Sequence, residues 1–282
     1  MLSSAVLLVT IGKAWAHGRM TLPDSRQGGS LEVAGTACGW HDGDSVAECE
    51  CCWYTDKIST AGATICDPAL ITWQPNHPDI CDPTSGNDWT YDRPWRAPGS
   101  AAIQSPCGVL NSDTGTDGVD LPPTNRTKWQ RGGLAEVAWA ATANHGGGYA
   151  YRLCPAAEAP TEACFQANHL AFADDVTTVR FTDGTAKTIA ATRTTVGTVP
   201  AGSHWSKNPI PQSGNFPPPF DGGEGAQWGF SLVDKVVIPK ELALGDYVLS
   251  WRWDCELTPQ SWANCADVTI TDGPSPLAEL LV

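Results

Sequence analysis

Positive charge is scarce in this sequence. Its 282 residues carry 17 Lys and Arg against 31 Asp and Glu, a formal charge of −14. Neutralising a phosphate backbone needs clustered cations, and no basic run occurs, so nucleic acid is excluded as a partner. Long apolar runs are missing too. Beyond the N-terminus none reaches the roughly 18 residues of a membrane-crossing helix. Amphipathic helical periodicity is nearly absent. No Gly-x-Ser-x-Gly elbow supports a Ser-His-Asp triad, and no carboxylate pair stands out for glycoside hydrolysis. Cys49-x-Cys51-Cys52 has no matching second pair at zinc-finger spacing.

What is plentiful is Gly (28), Pro (22), Trp (13) and Cys (11), in a chain that is 41% hydrophobic. That apolar content argues against disorder. The cysteines point to an oxidising compartment and to disulfides. Their odd number leaves at least one outside intramolecular pairs, and the adjacent Cys51 and Cys52 mark the loop-rich part as its place. Residues 2–11 form an apolar stretch that leads into Ala14-Trp15-Ala16, the small-x-small pattern of signal-peptide cleavage. We therefore read 1–16 as a signal peptide and the protein as secreted. Asn125-Arg126-Thr127 is then a glycosylation acceptor, at Asn125.

The remaining chain divides by composition. Residues 36–131, dense in Gly, Pro, Asp and Asn, read as loop and hold seven of the cysteines. Such a segment buries too little apolar area to order itself without cross-links. From 134 onward alternating patterns predict about seven strands, at 134–143, 149–153, 176–181, 185–198, 230–238, 246–253 and 266–271. The stretch 208–227, with five Pro and four Gly, reads as a long surface loop. The expected fold is all-β: an immunoglobulin/fibronectin-III-like antiparallel β-sandwich with long disulfide-linked loops. It forms a single domain over 17–272, with 273–282 a short tail. Cys154 with Cys164, and Cys255 with Cys265, are spaced to cross-link locally, but spacing does not fix connectivity.

Cleavage after Ala16 would expose His17. An N-terminal histidine offers two nitrogens on one residue, the α-amine and imidazole Nδ1, and a further imidazole completes a three-nitrogen site. Such donors suit copper by ligand type and by the Irving–Williams order. The amine, with an ordinary pKa of roughly 7.7–8.0, gives up its proton to a metal readily. His41, His77, His169 and His204 read as loop or packing histidines. Most of the tryptophans read as core or loop anchors, with Trp40, Trp53, Trp73, Trp89 and Trp95 the candidates for a flat sugar-stacking surface.

Three motifs carry a resemblance. They are His17-Gly18-Arg19-Met20 with Pro23 and Ser25-Arg26; Ala141-Thr142-Ala143-Asn144-His145-Gly146-Gly147-Gly148-Tyr149 with Arg152-Leu153-Cys154-Pro155 and Thr161-Glu162-Ala163-Cys164-Phe165; and Gly245-Asp246-Tyr247-Val248-Leu249 with Gln260-Ser261-Trp262-Ala263-Asn264-Cys265-Ala266-Asp267-Val268. In this order they resemble lytic polysaccharide monooxygenases of the chitin-binding type-4 group, in the branch best known from insects. The resemblance implies one copper ion held by His17 and His145, with Ala143 crowding one axial side. Trp262 stands where relatives place Tyr or Phe on the other. This is a departure, because indole cannot ligate as a phenolate can, so Trp262 would only shield the metal. Gln260 lies where some relatives keep a glutamine that hydrogen-bonds the oxidant.

The implied activity is oxidative cleavage of glycosidic bonds in chitin or cellulose by a secreted monomer, using O₂ or H₂O₂ and an external electron donor. Two other readings compete: a non-catalytic polysaccharide-binding module on the same sandwich, and a copper-binding extracellular protein without a sugar partner.

Overall fold

The computed structural model describes residues 18–26, 56–57, 98–99, 103, 105–108, 117–141, 147–210, 220, 229–255 and 260–273. These form twelve strands: β1 (Gly18–Leu22), β2 (Asp56–Lys57), β3 (Thr127–Gln130), β4 (Leu134–Ala141), β5 (Gly148–Pro155), β6 (Val176–Phe181), β7 (Ala186–Ala190), β8 (Arg193–Thr194), β9 (Trp205–Lys207), β10 (Phe230–Val237), β11 (Gly245–Asp254) and β12 (Gln260–Thr271). One helix, α1 (Glu162–Gln166), follows β5. No helix among the described residues is long and apolar enough to cross a membrane.

The strands make two sheets. The first runs β1-β4-β10-β6-β7. The second runs β2-β12-β11-β5-β9-β8, with β3 added on β12. Every pairing is antiparallel except β3 on β12. This is the expected all-β sandwich, with one parallel pair at an edge.

The period of two explains how the second sheet sits. Along β11, Tyr247, Leu249, Trp251 and Trp253 enter the core between the sheets. The residues between them face the other way, yet Ser250, Arg252 and Asp254 are also buried. Tyr149, Tyr151 and Leu153 of β5 face the same core. Outside the sheet, Phe165 of α1 packs with Cys107, Cys154, Val248 and Cys265 in a small second core. The second sheet is thus covered on both faces. The central core is aromatic: Trp139 lies 5.2 Å from Trp251 and 5.1 Å from Trp253 between ring centroids. Each buried indole removes roughly 150–250 Å² from water.

A single carboxylate ties the sheets together. Asp234 of β10, its side chain wholly buried, accepts from Tyr149 Oη at 2.8 Å, Thr177 Oγ1 at 2.6 Å and Arg193 Nη2 at 2.8 Å. Burial, and then the Asp234 charge, push the Tyr149 phenol well above its ordinary pKa, so it stays a donor.

Several expectations change. The stretch 185–198 divides into β7 and β8, because at Ala191-Thr192 the chain leaves the first sheet and joins the second. Residues 36–131, read as loop, supply β2 and all of β3. β1, β3 and β9 were not anticipated, being too short for alternation to register. Asn208, Ile210 and Phe220, placed by composition in a surface loop, are buried, and Ile210 and Phe220 belong to the core. Cys154 bonds Cys164, but Cys265 bonds Cys107 rather than Cys255. The reason is pairing geometry: Cys265 lies on the outer face of β12, with Cys107 packed over it.

Candidate metal centre

The residues that flank both predicted ligands meet at one end of the sandwich. Gly18, the first residue of β1, pairs with Ala141, the last of β4. Gly148, the first of β5, pairs with Asp254, the last of β11. Trp253 pairs with Tyr149 on one side and with Trp262 on the other. Gln260 opens β12 opposite Lys57. His17, Ala143 and His145 lie outside the described residues, as do His41, His77, Trp40, Trp53, Trp73, Trp89 and Trp95. His17 is bonded to Gly18, and His145 precedes Gly147 by two residues.

Two glycines next to these histidines have steric reasons to be glycine. A Cβ on Gly18 would lie 2.9 Å from the Trp253 ring and 3.2 Å from Trp251. Gly147 has φ +76°, and a Cβ there would lie 1.9 Å from the Asp254 carbonyl oxygen. Gly18 and Gly147, which follow the two candidate ligands, are therefore pressed directly onto β11. Trp251 and Trp253, which supply this surface, were legible only as strand residues.

Trp262 is buried and stacks on Trp253 at 6.4 Å and 30°. It belongs to the aromatic core, one ring away from the indole that abuts Gly18. Arg252 lies on the opposite face of β11 from Trp253. It donates to Asp254 Oδ1 at 2.7 Å and Oδ2 at 2.9 Å, and to Glu162 Oε1 at 2.8 Å. Burial opposes the Arg252 charge, but Asp254 and Glu162 outweigh it and hold the guanidinium above its ordinary pKa. Asp254 also accepts from Gly99 N and Ser261 Oγ, both at 2.9 Å. Arg152 completes the group, paired to Glu162 and donating to Ser250 Oγ at 2.9 Å. This cluster braces the outer side of the strand end on which the site rests.

The Ser25-Arg26 motif has a structural use. After Pro23 the chain crosses to the second sheet, where Ser25 bridges Ala266. Arg26 then grips Asp267 through Nε at 3.0 Å and Nη2 at 2.8 Å, a bidentate pair that fixes the segment leading back to His17. Asn125 is exposed in the extended run before β3.

His169 and His204 sit at the β5–β9 edge, away from this end. His169 bridges Arg152 of β5, and its Nδ1 lies 3.3 Å from the His204 carbonyl oxygen. Burial, with Arg152's charge second, pushes the His169 imidazole down from 6.5 to about 3. Between these two values the unfolded chain takes up a proton that the folded chain refuses. The stability due to neutral His169 is therefore complete above pH 6.5 and lost as pH falls towards 3. The slope expected is up to about 1.4 kcal/mol per pH unit. His169→Gln should flatten this limb in urea unfolding followed from pH 7 to pH 4. An unchanged slope would assign it to other groups.

No family model matches the sequence, and no curated protein does. Among solved structures, the chain is similar to a lytic polysaccharide monooxygenase of family AA15 from Thermobia domestica in the Cu(I) state, at 18% identity and a TM-score of 0.31, covering 52% of this chain and 63% of that one. It is similar to an AA10 lytic polysaccharide monooxygenase from Streptomyces lividans at 17% identity and a TM-score of 0.35, covering 90% and 99%. The catalytic domain of a lytic polysaccharide monooxygenase from Listeria monocytogenes matches at 14% identity and a TM-score of 0.33, covering 90% and 99%. At this distance the matches leave the activity to be argued from the residues.

Proposed function

We propose that the protein is a secreted copper-dependent lytic polysaccharide monooxygenase acting on insoluble chitin or cellulose as a monomer. The observation that carries the reading is the convergence of Gly18, Ala141, Gly147 and Gly148 on the Trp253–Asp254 end of β11. Residues bonded to, or two from, the two candidate ligands share one corner of the fold, although more than 120 positions separate them in sequence.

The donor set fits copper. His17, freed by cleavage after Ala16, would give its amine and Nδ1, and His145 a second imidazole. Copper there would supply one-electron redox chemistry which, with O₂ or H₂O₂ as oxygen source and an external electron donor, would replace a hydrogen on a sugar carbon by hydroxyl, after which the glycosidic bond breaks by elimination. The chain's part is positioning and exclusion. Gly18 lets the first strand pack closely on Trp253, so a terminus freed at His17 would begin one residue from that ring, which would screen it from water on that side. Ala143 and Trp262 would shield the ion without ligating it. Gln260 would hydrogen-bond the oxidant. Asn125, exposed ahead of β3, would carry a glycan on the secreted chain.

The deciding experiment incubates the copper-loaded, secreted protein with chitin and with cellulose plus a reductant. Mass spectrometry should find oxidised oligosaccharides. Glycosidase treatment of the same preparation should lower its mass if Asn125 is modified. Binding to the polymers without oxidised products would favour the binding module, a reading supported by Trp262, whose indole cannot ligate a metal. A type-2 copper EPR signal indifferent to both polymers would point to a copper-binding protein with no sugar partner.

A further inference from the structure

A cavity of about 590 Å³ opens on the outer side of the second sheet, well within the range of ligand sites. One wall is the face of α1 that carries Ala163, with Gln166 and Ala167 beside it; the other is the turn at 200–203. His169 and His204 close the cavity between them. The hydrogen-bonded pair of strands β5 and β9 places it beside Arg152. That is four residues along β5 from Gly148, about 13 Å from the candidate metal centre at the usual strand rise.

The lining has a distinct chemistry. None of the described lining side chains is a carboxylate, an ammonium or a guanidinium. The nearby Arg152 and Arg252 are turned onto Glu162 and Asp254. Both imidazoles are held neutral, His169 by burial and then Arg152, His204 by partial burial. Polar groups nonetheless converge. The Gln166 amide nitrogen donates to Glu162 at 3.2 Å, which leaves its carbonyl oxygen to accept. Ser203 Oγ accepts from Trp205 Nε1 at 3.0 Å, which leaves its hydroxyl hydrogen to donate. The methyl groups of Ala163 and Ala167 and the ring of Pro200 also line the cavity. Gly202, at φ +82°, has open space where a Cβ would project. Neutral donors and acceptors interleaved with small apolar surfaces match the hydroxyl rim and C–H faces of a pyranose, and offer nothing to balance a formal charge.

We propose that this cavity is a second binding site, taking a short neutral oligosaccharide apart from the metal centre. It does not depend on the oxidative reading, and the test is run with a chelator so that either can fail alone. The full secreted chain is titrated calorimetrically, in EDTA, with cellohexaose, N-acetylchitohexaose and an alginate hexamer. One neutral oligosaccharide should bind at one equivalent, with an affinity insensitive to salt. Ala163 is exposed, so Ala163→Trp fills the cavity without entering the core, and Ala167→Trp does the same from the same wall. Each should weaken binding at least tenfold, and His204→Ala severalfold, while copper binding by EPR after removal of EDTA stays unchanged. Failure of both neutral oligosaccharides to bind, preference for the alginate hexamer, or unchanged affinity in either folded tryptophan variant would overturn the proposal.

Discussion

A single residue left ahead of His17 should abolish tight copper binding and all oxidative activity. The α-amine would become an amide, which neither carries a lone pair for the metal nor titrates near neutrality. Loss of a hydrogen-bonded partner outside the ligand set typically weakens a metal site by about 10–100-fold. Loss of one of three ligand nitrogens, and of the chelate it closes, should exceed that. The measurement is copper affinity by competition with a chelator, for the chain beginning at His17 and for the same chain with one added Ala. The folds should be indistinguishable by circular dichroism, because Gly18 remains paired with Ala141. His145→Ala should weaken binding comparably. Nanomolar affinity in the extended chain would place the copper elsewhere, and with it the proposed activity.

Asp254→Ala should be among the most destabilising single changes in the chain. Its carboxylate is matched by Arg252, Ser261 and the Gly99 amide, and all of these groups are shielded from water. Removing one partner of a buried ion pair leaves the other charge uncompensated, a loss of about 3–5 kcal/mol. Glu162 remains to hold Arg252, which sets the lower end of that range. Glu241→Ala is the control: its pair with Lys240 spans 3.9 Å with both side chains largely exposed, and its loss should change stability by less than about 1 kcal/mol. Denaturant unfolding at pH 7 compares the two. A loss below about 1 kcal/mol for Asp254→Ala would mean that water or a rearranged Glu162 replaces it. Since Gly148 pairs with Asp254, copper affinity should fall together with stability.

The sandwich was legible because its long strands alternate. β6 matched its expected bounds, and β4, β5, β10 and β11 came within a few residues, since Val, Trp and Tyr recur at every second position. β1, β2, β3, β8 and β9 have five residues or fewer, too few for a period of two to stand out, and they exist because longer neighbours offer an edge. Burial of Asn208 and Ile210 was hidden by their prolines, which mark a turn without saying which side of it is covered. The candidate site was legible as chemistry, through a histidine that cleavage after Ala16 would expose and a second one in a glycine-rich run, but not as geometry. Nothing in the spacing of Gly18 and Gly147 shows that both are pressed onto β11. The ionic cluster was hidden for another reason. Arg152, Glu162, Arg252 and Asp254 look like solvated surface charges until α1 folds over them.

Cover on both faces of the second sheet also locks its alignment. Suppose β11 slid by one residue against β5 and β12. Arg252 and Asp254 would then enter the aromatic layer, while Trp251 and Trp253 would face the helix side. Each face alone would resist the slip, and the Cys107–Cys265 bond pins β12 on the outside. A sheet with one solvated face can trade alternative alignments at modest loss, whereas this one has a single permitted setting. That setting carries the strand end at Trp253–Asp254 to a fixed height, and Gly18, paired with Ala141, is packed against Trp253. An amine freed at His17, ordinarily among the loosest groups in a protein, would begin one residue from that fixed point.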